Sequence, residues 1–284
     1  MILIDFSNVI VGSIMVAHKV PDEERFSEDF IRHLVLNSIR SYRNKYKDKY
    51  GEVVICTDFH SSWRKNVFPY YKAHRKVARE KQKKEGLDWN ALFDTISRII
   101  EEIDTYFPYK VVKVPHAEGD DVIAVLSAAI QEKSLIISSD KDFSQLYKYK
   151  WVRQFSPMKQ KMLNGIDPNE YLKEHIIRGD KGDGIPNILS ADDCIVNGVR
   201  QKPISKKKVA NWLVQDPKEF NDDMKRGWLR NKILIDFDLI PKDISNAILK
   251  QYNEEKKYQK GQLMNYFIKN KLKYLMENMG DFTK

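Results

Sequence analysis

Residues 134–143 read SLIISSDKDF, a short β-branched apolar run that breaks into two aspartates, Asp140 and Asp142. Runs of this length and composition fit buried strands. Three others share the shape: MILID at 1–5 ends on Asp5, EVVICT at 52–57 is followed by Asp58, and KVVKV at 110–114 precedes Glu118, Asp120 and Asp121. Between them lie helical periods, at 29–47 with Phe30, Leu34 and Ile39, at 90–106 with Leu92, Ile96, Ile99 and Ile103, and at 119–132 with Val122, Val125, Leu126 and Ile130. Strand alternating with helix predicts an α/β fold, with a mostly parallel central sheet flanked by helices. A further strand is predicted at 151–155 (WVRQF), after which the pattern turns helical, with candidates at 168–178 opened by Asp167-Pro168, 205–214, 241–253 and 262–277. The expected division is an α/β core over 1–183 and a helical C-terminal lobe over 184–284.

The acids fall where such a sheet gathers ligands. In an open α/β sheet, sites form outside the carboxyl ends of the parallel strands. Asp5, Asp58, Asp140 and Asp142 follow strands, Glu118, Asp120 and Asp121 open a helix, and Asp180 and Asp183 lie in RGDKGDGIPN. Any one of them has a plain explanation as a cap or turn residue. Their joint placement on five segments does not. Two carboxylates about 5 Å apart at an effective dielectric near 20 repel by roughly 3 kcal/mol. A cation must offset this, and an oxygen-rich set points to magnesium (Mg2+), two ions, with manganese (Mn2+) as a substitute. Cys56 and Cys194 form no Cys-x-x-Cys pair, and the six histidines show no zinc-ligand spacing.

The net charge of +9 is concentrated. Residues 61–88, SSWRKNVFPYYKAHRKVAREKQKKEGLD, hold nine Lys or Arg against three acids. Trp63, Phe68, Tyr70 and Tyr71 are interleaved, a mixture suited to phosphates and unstacked bases. As one helix of about 40 Å, or as two, the segment would bridge the acidic edge. Arg64, Lys65, Tyr70 and Tyr71 are the expected nucleic-acid contacts, and helical spacing would put Lys72 and Arg75 on one face. A solvated lysine-rich helix is the plain alternative. With 42% hydrophobic and 31% charged residues, the composition fits neither disorder nor a membrane span, and the N-terminus lacks a signal-peptide pattern, so a cytoplasmic protein is expected.

Together, LIDFSN at 3–8, YYKAHR at 70–75, AEGDD at 117–121, SSDKDF at 138–143 and GDKGDGIPN at 179–187 resemble the 5′-nuclease family. That family holds flap endonucleases, 5′-3′ exonucleases and phage ribonucleases H. RHLVLNSI at 32–39, FSPM at 155–158 and LIDFDLIP at 234–241 are most similar to the bacteriophage ribonuclease H branch. The resemblance implies a PIN-like core and a metal-dependent nuclease removing RNA primers and adjacent DNA during replication, in a host cytoplasm if phage-encoded. It implies that Asp5, Asp58, Glu118, Asp120, Asp140 and Asp142 surround the metal site, with Asp121, Asp180 and Asp183 completing it; the expected mechanism has Asp5, Asp140, Asp142 and Glu118 or Asp120 bind metal directly, with Asp58, Asp121, Asp180 and Asp183 as outer or second-metal groups. It further implies that Lys72 and Arg75 contact the scissile phosphate. Expected partners are DNA and RNA·DNA hybrid with 5′ ends or flaps, alongside replication proteins such as a single-strand-binding protein or clamp. After Pro186 the chain reads NILSADDCIVNGV, without the family's Gly-x-Gly turn, so no potassium site is expected. Lys206, Lys207 and Lys208 are candidate duplex contacts instead. A non-catalytic single-strand-binding module, a phosphatase using Asp5 as nucleophile and a compact endoribonuclease are the rivals. The phosphatase lacks the second Asp expected two residues on, and the endoribonuclease has no need of the basic segment.

Overall fold

Ile2, Leu3 and Ile4 are fully buried because their strand, β1 (Ile2–Asp5), lies in the middle of the sheet. The computed structural model describes residues 1–84, 87–256, 258 and 260–283. Asp5 ends the strand by capping the next turn: its Oδ1 accepts the Asn8 N–H at 3.2 Å, and α1 (Phe6–Val16) follows without a loop. Next come α2 (Asp22–Arg25), α3 (Glu28–Tyr50), β2 (Val53–Cys56), α4 (Arg64–Val67), α5 (His74–Lys84), α6 (Trp89–Tyr106), β3 (Lys110–Val112) and α7 (Gly119–Ala129). The sheet continues with β4 (Ser134–Ile137), β5 (Val152–Ser156) and β6 (Lys161–Leu163). The remainder is helical: α8 (Pro168–Arg178), α9 (Lys206–Val214), α10 (Asp222–Ile235), α11 (Lys242–Asn253), α12 (Lys260–Lys269), α13 (Lys273–Glu277) and α14 (Gly280–Thr283).

Strand order is β3-β2-β1-β4-β5-β6, parallel except for β6, so the predicted α/β class with a mostly parallel sheet holds. The order reverses direction between β1 and β4, and there the loops after the two strands diverge. Asp5 pairs with Cys56 on one side, while Ile4 pairs with Ile137 on the other, so both central strands stop at one level.

Helices cover both faces. Ile2, Ile4, Val53, Ile55 and Leu135 pack on α1, α3 and α6, whereas Leu3, Val54, Cys56 and Ile136 pack on α7 and α11. The chain end does not stay with the lobe. Leu263, Tyr266, Phe267, Leu275 and Phe282 join the first face, and Ile240, Ile244 and Ile248 join the second. The separate small cores involve α8, α9, α10 and the loop around Ile185 and Ile188, so the segment 184–284 is not one packing unit: α11 packs on α7 and β3, α12 on α6 and α14 on α3.

The helix expected at 262–277 is two, because the chain turns at Lys271 with φ +54. Five of these elements lie outside the predicted set, α1, α2, α10, α14 and β6: the β-branched residues of α1 mimic a strand, and α2, α14 and β6 have only three or four residues to show a period.

Phe267 is fully buried, edge-on to Phe107 and tilted against Phe282. Truncation to Ala is expected to cost about 3–5 kcal/mol. Urea unfolding followed by fluorescence and circular dichroism should show one shifted transition; a loss confined to a second, separate transition would contradict a shared core.

Candidate metal centre

Asp5 and Ser138 sit side by side at the strand ends where the topology switches. Ser138 Oγ donates to Asp5 Oδ2 at 2.6 Å and accepts the Asp140 N–H at 3.0 Å. Asp140 Oδ1 accepts the Asp142 N–H at 2.9 Å, which turns Asp142 back toward the rim. Asp58, after β2, is exposed and held by Ser7 Oγ at 2.8 Å and the Gly119 N–H at 2.7 Å. Asp180 and Asp183 share a turn after α8, Asp180 Oδ1 accepting the Asp183 N–H at 3.0 Å. The nine predicted acids do not form one uniform set.

Their partners divide them. Glu118 has cations of the chain itself: Lys72 Nζ at 2.5 Å, and Arg64 at 3.0 Å. Burial opposes its ionisation, yet Lys72 and Arg64 hold it down at about 2. Asp183 takes the Arg75 guanidinium at 2.6 Å, and Asp121 takes Arg64 at 2.8 Å. Burial pushes Asp180 up, but the His175 hydrogen bond and charge, with the Asp183 and Gly182 N–H groups, together hold it below the usual range. On the other side, burial and then the neighbouring Asp58 and Asp140 charges push Asp5 up to about 7, against the Ser138 hydrogen bond. Asp142 also rises to about 7, by burial first, with His175 opposing and Asp140 adding. Burial raises Asp140, and burial with the Asp5 and Asp140 charges raises Asp120 well above its ordinary value. Asp5, buried, and Asp120, Asp140 and Asp142, half-buried, are thus acids that raise one another, a donor set that fits hard divalent cations.

Three expectations change. Asp121 is fully buried and caps α7 through the Glu118 N–H at 3.0 Å, with Trp63 Nε1 and Arg64 on its oxygens, so it is a structural acid and not a rim ligand. Arg64 is 3% exposed and spent on Glu118, Asp121 and the Leu234 carbonyl, so it cannot meet nucleic acid. Tyr71 is buried too, its hydroxyl 2.8 Å from both Glu118 Oε2 and Asp183 Oδ2, which leaves no ring face for a base. Trp63 and Phe68 likewise turn inward. Lys65 and Tyr70 remain exposed, as do Lys206, Lys207 and Lys208 in the first turn of α9.

Lys72 and Arg75 are brought together differently from their predicted helical spacing. Lys72 precedes α5 in a left-handed turn, φ +57, and its N–H donates to the Asp183 carbonyl at 2.8 Å. Arg75, in the first turn of α5, donates to the Gly182 carbonyl at 3.0 Å and to Asp183. Asp183 therefore gathers both cations. His175 is the residue missed: it lies between Asp142 and Asp180, at 3.3 Å from each. Its position five residues before Asp180, on a predicted helix, was the available signal.

A cleft of about 1140 Å³ opens beside this rim, between α5, α6 and the Asp58 loop. Lys65, Lys76, Arg79 and Lys83 line it with Trp89 and Phe93. Those two rings stack at 5.6 Å, and Arg79 lies 4.9 Å over Phe93. The aromatic surface beside the basic helix comes from α6, where Trp63, Phe68 and Tyr71 were expected to supply it. Residues 85 and 86 of the predicted basic segment lie outside the described residues.

Residues 2–175 match the family described as 5′-3′ exonuclease, N-terminal resolvase-like domain, and residues 168–282 match T4 RNase H, C terminal. The chain belongs to the 5′-3′ exonuclease family. With it, the chain is a metal-dependent 5′ nuclease, a hydrolase of phosphodiesters. It is 33% identical over 295 residues to ribonuclease H of Enterobacteria phage T4, covering 99% of this chain and 95% of that protein. Flap endonuclease Xni of Shewanella sp. (strain MR-4) is 33% identical over 138 residues, 45% of this chain and 48% of that one. The fold is shared with a bacteriophage T5 5′-exonuclease solved with zinc ions, at TM-score 0.59 and 18% identity over 88% of this chain and 97% of that. It is shared also with a T5 flap endonuclease solved with DNA and metal ions, at TM-score 0.62 and 19% identity, covering 89% and 99%.

Asp5 and Asp142 ionise near 4 when unfolded and near 7 when folded. Between those values the folded state binds more protons, so raising pH favours unfolding. Metal-free protein is expected to lose on the order of a few kcal/mol from pH 4.5 to 7.5, with divalent cation restoring it. Thermal melts with and without chelator across that window check this, and a pH-independent melt would contradict it. Asp121→Asn leaves the buried Arg64 charge with Glu118 as its one remaining carboxylate partner and should cost about 3 kcal/mol. Asp120→Asn, relieving repulsion, should stabilise the metal-free protein in the same urea titration.

Proposed function

We propose that this chain hydrolyses RNA·DNA hybrid and 5′-ended or flapped DNA from the 5′ end, with two magnesium ions at the rim. Its role on this reading is removal of RNA primers and adjacent DNA during replication. The observation that carries it is the set of acids Asp5, Asp120, Asp140 and Asp142, buried or half-buried and, among the described residues, without a Lys or Arg ion pair, beside a basic cleft. Bound there, divalent cations supply an activated water and neutralise charge on the attacking and leaving oxygens.

The chain's own residues do the rest. Asp5, Asp140 and Asp142 present oxygens held by Ser138, the Asp142 N–H and Tyr171 respectively, and Asp120 adds its carboxylate beside them. Asp58 and Asp183 flank them as outer groups. Lys72 and Arg75, tied to Glu118 and Asp183, stand where a phosphate entering from the cleft meets positive charge. Lys65, Lys76, Arg79 and Lys83 track a phosphate backbone, and the Trp89–Phe93 stack offers a ring surface to an unpaired base. Lys206, Lys207 and Lys208 are proposed duplex contacts in the lobe. Among the described residues no helix is long and apolar enough to cross a membrane, and we assign the enzyme to the cytoplasm of a host cell. A single-strand-binding protein or a clamp are the partners this role calls for.

Incubating 5′-labelled RNA·DNA hybrid and flap DNA with magnesium should release short 5′ products, and chelation should abolish release. Asp142→Asn and Lys72→Ala should each lower kcat by about 10²–10³ while leaving the hybrid bound. Cleavage that continues in chelator, or equal turnover by all three proteins, would refute the assignment; chelator-insensitive binding without any cleavage would favour a binding module.

A further inference from the structure

His175 places a nitrogen among the oxygens of the rim. The ring sits on α8 with Nδ1 3.3 Å from Asp142 Oδ1 and Nε2 3.3 Å from Asp180 Oδ2. These three residues can each offer one ligand atom within 4.8 Å of the others. Nδ1 is buried yet makes no hydrogen bond. A buried ring nitrogen left without a partner is costly, so the arrangement calls for something to fill that direction. Two donors each about 2.1 Å from one cation lie roughly 3.0–3.4 Å apart at octahedral to tetrahedral angles. The Nδ1 to Oδ1 spacing falls in that interval. The surroundings match what a metal-ligating imidazole has: a carboxylate at the second nitrogen, here Asp180, and a ligand carboxylate oriented in turn, here by Tyr171 O–H on Asp142 Oδ1 at 3.0 Å.

We infer that His175 Nδ1 and Asp142 Oδ1 are joint ligands of one rim cation, with Asp180 fixing the ring through Nε2, and that the nitrogen tilts this position toward first-row transition ions over magnesium. The inference rests on the reading that the rim holds divalent cations. Its chemistry is ligand softness: magnesium demands oxygen and keeps its waters, while imidazole is a good ligand for the transition series. The two cation positions are then unequal. One, at Asp5, Asp120 and Asp140, is oxygen-only. The other carries an imidazole.

Manganese titrated into the metal-free full chain provides the probe. Pulsed electron paramagnetic resonance should show a directly coordinated ¹⁴N in the wild type, converting to the ¹⁵N pattern when histidine is ¹⁵N-labelled. In His175→Gln, with circular dichroism unchanged, the signal should vanish, and the preference for manganese over magnesium in competition should fall roughly tenfold or more. The labelled wild type decides the matter even where the variant fails to fold. Bound manganese without nitrogen coupling would overturn the inference and leave the two-cation reading standing, because the ring would then act as a cation in its own right. Nitrogen coupling that persists in His175→Gln would also overturn it, by assigning the ligand to another histidine such as His74. No bound manganese at all would reject the two-cation reading itself.

Discussion

Carboxylates drawn out of water and toward each other are the constraint on which this molecule is organised. At about 5 Å and an effective dielectric near 20, each pair costs roughly 3 kcal/mol. The chain neutralises three of its rim acids internally, through Arg64, Lys72 and Arg75 on Asp121, Glu118 and Asp183. Among the described residues Asp5, Asp120, Asp140 and Asp142 take no Lys or Arg ion pair, only serine, tyrosine, histidine and backbone partners and, for Asp120, the more distant Lys72 charge. On the proposed reading those four are where divalent cations belong. All three internal cations come from residues 64–75, so one basic segment both settles the charge on one side of the rim and forms a wall of the cleft. The left-handed turn at Lys72 joins these duties, since it lets the backbone of the segment bond to the Asp180–Asp183 turn while its side chain reaches Glu118.

Much of this was legible in the amino-acid order. Buried parallel strands leave continuous β-branched runs, and Asp5, Asp140 and Asp142 follow theirs directly, so the sheet and its acidic edge could be read together. α8 could be bounded from its Asp-Pro cap. What could not be read was which acid and which base are spent on one another. Asp121 and Asp120 are neighbours of the same type, and only the direction in which α7 begins decides that one caps the helix under Arg64 while the other faces Asp5. The same holds for Tyr70 and Tyr71, one outward and one buried. A pattern of charges reports composition of a segment, whereas pairing depends on backbone turns that the local sequence leaves open.

His175 and the returning C-terminal helices were missed for a related reason. Histidine spacing was searched against itself, although its partners are two acids that reach it from different elements. The C-terminal helices show amphipathic periods wherever they pack, so periodicity does not tell whether they cover a lobe or a distant sheet. Only the contacts of α12 with α6 and of α14 with α3, which join them to the first face's core, settle it.

That return has a temporal side. Arg40 Nε reaches Asp281 Oδ2 at 2.7 Å, and Arg43 reaches the Asp281 carbonyl, across more than two hundred positions of chain. Proteins are made N-terminus first, and pairings so remote in sequence are slow to find. The surface of α3 and α6 under α12 and α14 therefore stays bare while those helices are still being made, and a newly made copy completes this part of its interior only once they have emerged.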